Sequence, residues 1–540
     1  MSAPSDNASA WSPLRSSVFR AFWIAIIISN VGTWMQNVGA AWLMTSLSHS
    51  EVMVALVQTA TSLPVFFFAL PAGALADVVD RRRLLLITQG WMLLMALILG
   101  VITLFDRAAP WTLLLLTFSL GIGAAMNAPA WQATIPDLVP REDLPAAVAL
   151  GSVGFNIARA VGPALGGIAI TASGPGGAFV LNAISFVGVL AVLCRWKSRR
   201  ERNALPTERF VGAIRAGLRY ARHAPQLRAV LVRVGVFILC GAALWALLPL
   251  RSRNELGYGA TGYGILLGCI GAGALIGAGL LPRLRSQLAG DRLISFASLL
   301  FGAATLGLAF LNNFVLLCGA MILGGLAWMT VMSSYNVTAM TTAPAWVKSR
   351  ALSLYQLVFQ GGLAIGSALW GTVATHTSLT VALVGAGAGL ALGLVAIRRF
   401  PFTAVEPEEF EPSQHWEHPV VAREVEPDRG PVVVTVEYRI DPEKEREFVA
   451  AMRPVREFCL RDGAIQWHLL NDTSDPSRYL EYFVVESWAE HLRQHGRVTI
   501  ADRAVQDYAR SFHIGDKPPI VSHFIAGIVA NQPREGGKLQ

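Results

Sequence analysis

Between Ala21 and Phe400 the 540-residue chain strings together about a dozen apolar runs of roughly 20 residues, each long enough to cross the hydrocarbon core of a bilayer as a helix. A water-soluble globule could not hide that much apolar surface. Lipid accepts it, provided each segment satisfies its own backbone hydrogen bonds. The runs predict twelve spans, the first at about 20–46 and the last at about 379–399, with the fifth and sixth at about 145–171 and 177–196. The fold class expected is an all-α polytopic membrane protein.

Charge divides the chain at Phe400. Residues 1–400 hold 28 Lys+Arg against 12 Asp+Glu, whereas 401–540 hold 16 against 24, so a basic membrane part precedes an acidic tail. The basic residues cluster in alternate short loops: Arg81 to Arg83, Arg141, Arg195 to Arg228, Arg283, Arg285, Lys348 and Arg350. Opposite loops hold only Arg107, Arg251 and Arg253. That asymmetry predicts a multi-pass membrane protein with both termini cytoplasmic, and it speaks against nucleic-acid binding.

The boundaries follow from composition. Residues 1–19 read as a polar cytoplasmic tail, 20–196 as a first six-helix bundle, 197–227 as a cytoplasmic linker, 228–400 as a second six-helix bundle, 401–429 as a Pro/Glu-rich linker, and 430–540 as a separate cytoplasmic domain. Within 197–227, Phe210, Ile214 and Leu218 share one helix face and Arg215, Arg219 and Arg222 another. That pattern suits a helix on an anionic membrane surface or a solvated linker helix.

The two bundles repeat. A shift of 204 residues carries Gly73 and Ala74 onto Gly277 and Ala278, Arg81 onto Arg285, Thr134 onto Thr338, and Gly162, Ala164 and Leu165 onto Gly366, Ala368 and Leu369. One unchanged offset across three spans indicates duplication, and duplicated six-helix bundles place a substrate between them near the midplane.

Residues that carry chemistry are few. Arg159, well inside span five, costs about 2.5–3.5 kcal/mol on insertion scales unless it faces a polar cavity or a partner. With Asn156, Asn30, Asn37, Asn127, Tyr335, Asn336, Gln356 and Gln360 it is expected to line a wet cavity with one fixed cation. No Asp or Glu stands at mid-span, and no phosphate-cradling G-x-x-x-x-G-K-[ST] loop occurs. The five cysteines are scattered without a CxxC pair, so no disulfide framework, metal site or cofactor is expected.

GALADVVDRRR, Gly73 to Arg83, resembles the loop-two-to-three signature of the major facilitator superfamily. Val78 stands where Arg is usual and Asp80 where Gly is usual. Gly73, Asp77, Asp80, Arg81 and Arg82 are then the conformational-switch residues, with Asp77 expected to meet the inner N-terminal end of span eleven. Span five carries ARAVGPALGG, in which Gly162, Pro163, Gly166 and Gly167 resemble the motif of exporting members.

The tail reads strand, helix, strand, strand, helix, strand, an α+β ferredoxin-like order. With ESWAEHLRQH entering its second helix, it resembles the dimeric α/β barrels of antibiotic-biosynthesis-type monooxygenases. His491 and His495 lie four apart on that helix, and are read as an exposed polar face rather than a metal pair. A homodimer through the sheet is expected, as is a linker that keeps the acidic tail off the membrane.

The whole chain resembles the transmembrane secretion effector branch of the superfamily, the branch of the enterobactin exporters. That resemblance implies secondary active export of a small organic, siderophore-like or drug-like molecule by alternating access, proton coupling as an antiporter, and no enzymatic activity. Two other readings compete: a membrane-anchored monooxygenase-like enzyme, and a transporter gated by ligand binding to the tail.

Overall fold

The computed structural model describes residues 11–196, 210–288, 290–344, 346–402, 411, 413, 415–416, 419, 421 and 425–526. Gly73 and Asp77 of the switch motif lie outside the residues whose side chains are described, as do most of those on the apolar face expected for the linker helix.

Helices α1 (Ser17–Leu47), α2 (Glu51–Val78), α3 (Arg81–Leu104), α4 (Pro110–Leu138) and α5 (Leu144–Arg195) build the first half. After α6 (Phe210–His223), the second half comprises α7 (Pro225–Leu250), α8 (Ala260–Gln287), α9 (Gly290–Phe310), α10 (Phe314–Thr341), α11 (Lys348–His376), α12 (Leu379–Leu392) and α13 (Leu394–Arg399). Among the described residues eleven helices are long and apolar enough to cross a bilayer. One of them contains two crossings. At Gly174 the backbone takes φ 72°, ψ 172°, a left-handed conformation that glycine adopts without a Cβ clash, and Pro175 follows. The chain reverses there: along α1, Trp34 and Met35 meet Gly162 and Gly166, whereas Gly32 and Gly39 meet Asn182 and Phe179 in the opposite order. The expected fifth and sixth spans are therefore the two arms of α5, joined without a loop. Ile28, Ile87, Leu115, Ile184 and Phe296 are exposed on the outer surface of the helices, where a lipid-facing belt belongs.

The duplication is visible in packing. Gly167 of α5 meets α8, and Gly371, 204 residues on, meets Ala55 of α2. Likewise Gly162 lies on α1 and Gly366 on α7.

By contacts the chain forms two compact units. The first is Met1–Thr207, Ala229–Thr338 and Leu352–Phe402; the second gathers Glu208–Arg228, Ala339–Ala351 and Thr403–Gln540. The second unit thus includes α6 and the α10–α11 turn along with the tail. The sequence suited α6 to a membrane surface or to solvent; the structure gives it a protein partner within this unit. α6 packs on the tail's first helix, and its Tyr220 is buried.

In the tail, β1 (Val432–Arg439), α14 (Glu445–Asp462), β2 (Ala464–Asn471), β3 (Arg478–Val485), α15 (Trp488–His495), α16 (Ile500–Arg510) and β4 (Ile520–Ile525) form an antiparallel sheet of order β2-β3-β1-β4. With helices between β1 and β2 and between β3 and β4, this is the ferredoxin-like arrangement. Val432, Val434, Val436 and Tyr438 alternate inward against Phe448, Met452, Val455 and Phe458 of α14. The other face of the sheet carries Val433, Val484, Tyr482 and Leu480 with exposed Leu470, Ile520 and Phe524.

Candidate functional site

A cavity of about 370 Å³ lies between the two halves. From the first half α1 contributes Trp34 and Asn37, α2 contributes Gln58, Thr61 and Ser62, and α5 contributes Phe155 and Arg159. From the second come Trp245 of α7, Tyr263 of α8, Trp328 of α10, and Phe359 and Gln360 of α11. The walls are aromatic with a band of amides and hydroxyls. Among the described lining residues no carboxylate occurs, and Arg159 is the cation.

Arg159 is placed by close backbone packing. A Cβ on Gly271 of α8 would stand 2.5 Å from Ala160 Cα and 2.8 Å from the Arg159 carbonyl oxygen, so α8 presses on this turn of α5. The guanidinium lies 6.0 Å from the Trp34 ring centre and 5.7 Å from that of Trp245, held by one tryptophan from each half. Its Nε is buried without a hydrogen-bond partner among the described residues. The side chain as a whole is only half-buried because its end opens onto the cavity. Aromatic faces attract a cation without neutralising it, so this geometry leaves a positive charge available to a ligand.

The structure brings Asn37, Arg159 and Gln360 together in that lining and places the other expected residues elsewhere. Asn127 accepts hydrogen bonds from Thr88 Oγ1 at 3.0 Å and Gln89 Nε2 at 3.3 Å, tying α4 to α3. Asn156 donates to the Ser152 carbonyl in its own helix. Tyr335 is buried edge-on to Phe402. Asn30 and Asn336 are half-buried and Gln356 is exposed, all outside the lining. Sequence reasoning missed Gln58, Thr61 and Ser62, although with Thr59 they make four polar residues within five of an apolar span, which was a signal. It also missed Trp34, Trp245 and Trp328, which nothing in the local sequence sets apart from other apolar residues of the spans.

At the end opposite the arginine-rich loops the halves are joined. A Cβ on Gly167 would stand 2.6 Å from the Ala260 carbonyl oxygen and 3.0 Å from Thr261 Cα, and one on Gly264 would stand 2.6 Å from the Pro163 carbonyl oxygen. The span-five motif, with Gly162 on Trp34 and Gly166 on Met35 Cα, therefore packs α5 against α1 and across to α8. Arg253 Nη1 donates to Thr45 Oγ1 at 2.9 Å and Ser46 Oγ at 2.5 Å. Thr171 and Thr261 share a 2.8 Å hydrogen bond, and Thr375 donates to Glu51.

At the other end, Asp80 caps α3 by accepting from the Arg83 amide at 2.9 Å. Arg81 pairs with Asp137 at 3.4 Å, and Arg82 donates to the Leu193 and Cys194 carbonyls at 3.0 and 2.7 Å. These switch-motif residues brace α3 against the ends of α4 and α5. A buried cation unmarked by the sequence reading, Arg233 of α7, pairs with Asp291 at 2.6 Å, donates to the Ile397 carbonyl at 2.8 Å and lies 3.8 Å from the Phe402 ring centre.

The tail histidines are not an exposed face. His491 is 1% exposed, with its ring against Trp488, His495 and His523. Burial, and then the neighbouring His495 and His523, lowers its pKa to about 3. The helix turns this edge inward because Trp488, His491 and Gln494 pack against the rest of the tail.

A family described as transmembrane secretion effector matches residues 8–532. The staphyloferrin A transporter of Staphylococcus aureus is 25% identical over 342 residues, covering 63% of this chain and 85% of its own length. An enterobactin exporter, EntS, of Escherichia coli (strain SMS-3-5) is 26% identical over 392 residues, covering 71% and 93%. Among solved structures, a bacterial homolog of the human lysosomal transporter Spinster, in an inward-facing and unoccupied conformation, aligns with TM-score 0.59 at 14% identity, covering 72% of this chain and 98% of that one.

Proposed function

Because the chain belongs to the transmembrane secretion effector family of major facilitator transporters, we propose that it exports a small organic anion across a bacterial inner membrane by alternating access. Arg159 is the group that recognises the cargo. One observation carries this: a cation sits in a cavity between the halves, flanked by aromatic faces, with no carboxylate among the described lining residues. A carboxylate or phenolate would gain charge-assisted hydrogen bonds there. Asn37, Gln58, Thr61, Ser62 and Gln360 suit the hydroxyls and amides of a siderophore-like molecule, and the names of the staphyloferrin A and enterobactin relatives support that class.

Loading takes place from the side of the arginine-rich loops, since the halves are joined at the opposite end. We assign that side, and both termini, to the cytoplasm on the distribution of arginines. Proton antiport is carried over from the family. The exposed Leu470, Ile520 and Phe524 on the outer face of the tail sheet, which also carries Glu437, His468 and Ser522, support homodimerisation, and no catalytic role is given to the tail.

The test is uptake of labelled staphyloferrin A and enterobactin into inside-out vesicles. Arg159→Gln should raise KM by about 10- to 150-fold, the loss of a charged hydrogen bond of about 1.5–3 kcal/mol, whereas Arg159→Lys should retain part of the affinity. Wild-type uptake by a folded Arg159→Gln protein would remove Arg159 from the site.

A further inference from the structure

Arg159 has a counterpart nearer the joined ends. The guanidinium of Arg253, between α7 and α8, lies 5.2 Å from the ring centre of Trp42. Trp34, the α1 partner of Arg159, stands eight residues earlier, so the two tryptophans are about 12 Å apart along the helix axis. Trp34, Val38 and Ala41 line the cavity, and with Trp42 they recur at the spacing of one helix face. Trp42 stacks on Tyr263, with ring centres 6.1 Å apart and planes inclined by 20°, and the buried Tyr263 itself lines the cavity. The Trp42–Tyr263 pair thus stands between the cavity lining and Arg253.

The segment that carries Arg253, Arg251–Glu255, winds as a π-helical turn, a departure from α geometry that is frequent at functional sites. Its two arginines sit in opposite environments. Arg251 is buried, donates to the Leu308 carbonyl and to Asn312 Oδ1 at 2.9 Å each, and pairs with Glu255, so its charge is matched within the second half. Arg253 pairs with no carboxylate among the described residues; its Nη1 is engaged by Thr45 and Ser46, neutral hydroxyls of the first half. Hydroxyls and a ring face leave the positive charge uncompensated, as at Arg159. These bonds cross from one half to the other, so they last only while the ends are joined. Separation breaks them and frees the donors of Arg253 at the opening through which, on the export reading, cargo leaves.

We propose that Arg253 is a second anion-binding station, met by the cargo after Arg159 on the way out, with Trp42 and Tyr263 as the partition between the two. The inference rests on the reading that an organic anion leaves at this end. A carboxylate or phenolate that reaches Arg253 replaces contacts to neutral hydroxyls with a charge-assisted hydrogen bond. That bond is open to the cargo only when the ends are apart. It therefore stabilises the separated arrangement over the joined one, which is the differential contact a ligand needs in order to shift the equilibrium. The station belongs to release rather than to loading.

The test is uptake of labelled staphyloferrin A and enterobactin by the full chain in inside-out vesicles. Arg253→Gln keeps a donor for Thr45 and Ser46 but removes the charge, and should lower kcat at least fivefold without raising KM. Arg253→Lys keeps the charge and should recover at least half of the wild-type kcat. Thr45→Val combined with Ser46→Ala removes the acceptors and keeps the charge, and should leave kcat no lower than that of the wild type. Wild-type kcat in Arg253→Gln would overturn the station. An equal loss of kcat in the Thr45→Val and Ser46→Ala double variant would overturn it too, since Arg253 would then be a fastening between the halves and nothing more. A raised KM in Arg253→Gln would put the residue in loading and refute the release role. Arg159→Gln in the same vesicles reports on the central site through KM, so failure of that reading and failure of this one appear in different variants and different constants.

Discussion

Gly167→Ala should open the joined ends of the two halves. The added methyl would stand 2.6 Å from the Ala260 carbonyl oxygen, 3.0 Å from Thr261 Cα and 3.2 Å from Gly264 Cα, all backbone atoms that no rotamer change can move. Relief to ordinary contact needs α5 and α8 to separate by about 0.8 Å. Overpacking of this kind costs about 1–3 kcal/mol. The helix-propensity gain of alanine, about 1 kcal/mol, applies in both arrangements and cancels. The penalty falls only on the joined state. At about 2 kcal/mol it shifts the equilibrium roughly 30-fold, enough to invert a tenfold starting preference. Pulsed electron-spin distances between labels at Ser173 and Asn254 should lengthen. Gly151→Ala is the control, since nothing lies within 4 Å of a Cβ at that position. If the two alanine variants give the same distance distribution, the α5–α8 contact is not the closure and the reasoning fails.

The Arg233 pair should respond unequally to its two deletions. Asp291→Asn strands a fully buried guanidinium and should cost about 3–5 kcal/mol, whereas Arg233→Met leaves a one-third exposed carboxylate that water can reach and should cost much less; thermal melts in detergent compare them. Phe524→Lys, on the outer face of the tail sheet, should convert a dimer of the full chain to monomer in light scattering, and an unchanged mass would remove that face as the interface. His491 is held neutral in the folded tail down to a pKa of about 3, below its ordinary 6.5, so the folded state binds fewer protons than the unfolded one. Its contribution is complete above pH 6.5 and is lost as pH falls toward 3, by up to about 1.4 kcal/mol per pH unit. His491→Gln should flatten the acid limb of tail stability measured by hydrogen exchange, and an unaltered limb would show that other groups control it.

Much of the fold was written along the chain. Span length and hydropathy are local, so the crossings were countable, and only the join at Gly174–Pro175 was unforeseen, because a two-residue reversal needs no polar loop. The 204-residue repeat indicated duplication, and Gly167 and Gly371, 204 residues apart, make equivalent contacts between the halves. Strand alternation in Val432 to Val436 and the order of tail elements were equally local. Arg159 stood out because a guanidinium inside an apolar span is costly enough to demand a polar cavity or a partner, whichever helices supply it.

What the sequence could not decide was which way each helix is rotated and what lies across from it. Asn127 and Asn37 look alike in composition, yet one spends its carbonyl on Thr88 and Gln89 while the other opens onto the cavity. The pairing of Trp34 with Trp245 around Arg159 joins residues from two halves, and neither tryptophan differs locally from a core residue. The same holds for the pairing of Arg219 with Glu490, 271 residues apart: a basic helix face reads the same whether it meets lipid, water or a glutamate. Local chemistry sets which segments are helices and which charges are costly; only three-dimensional packing determines which of those charges meet.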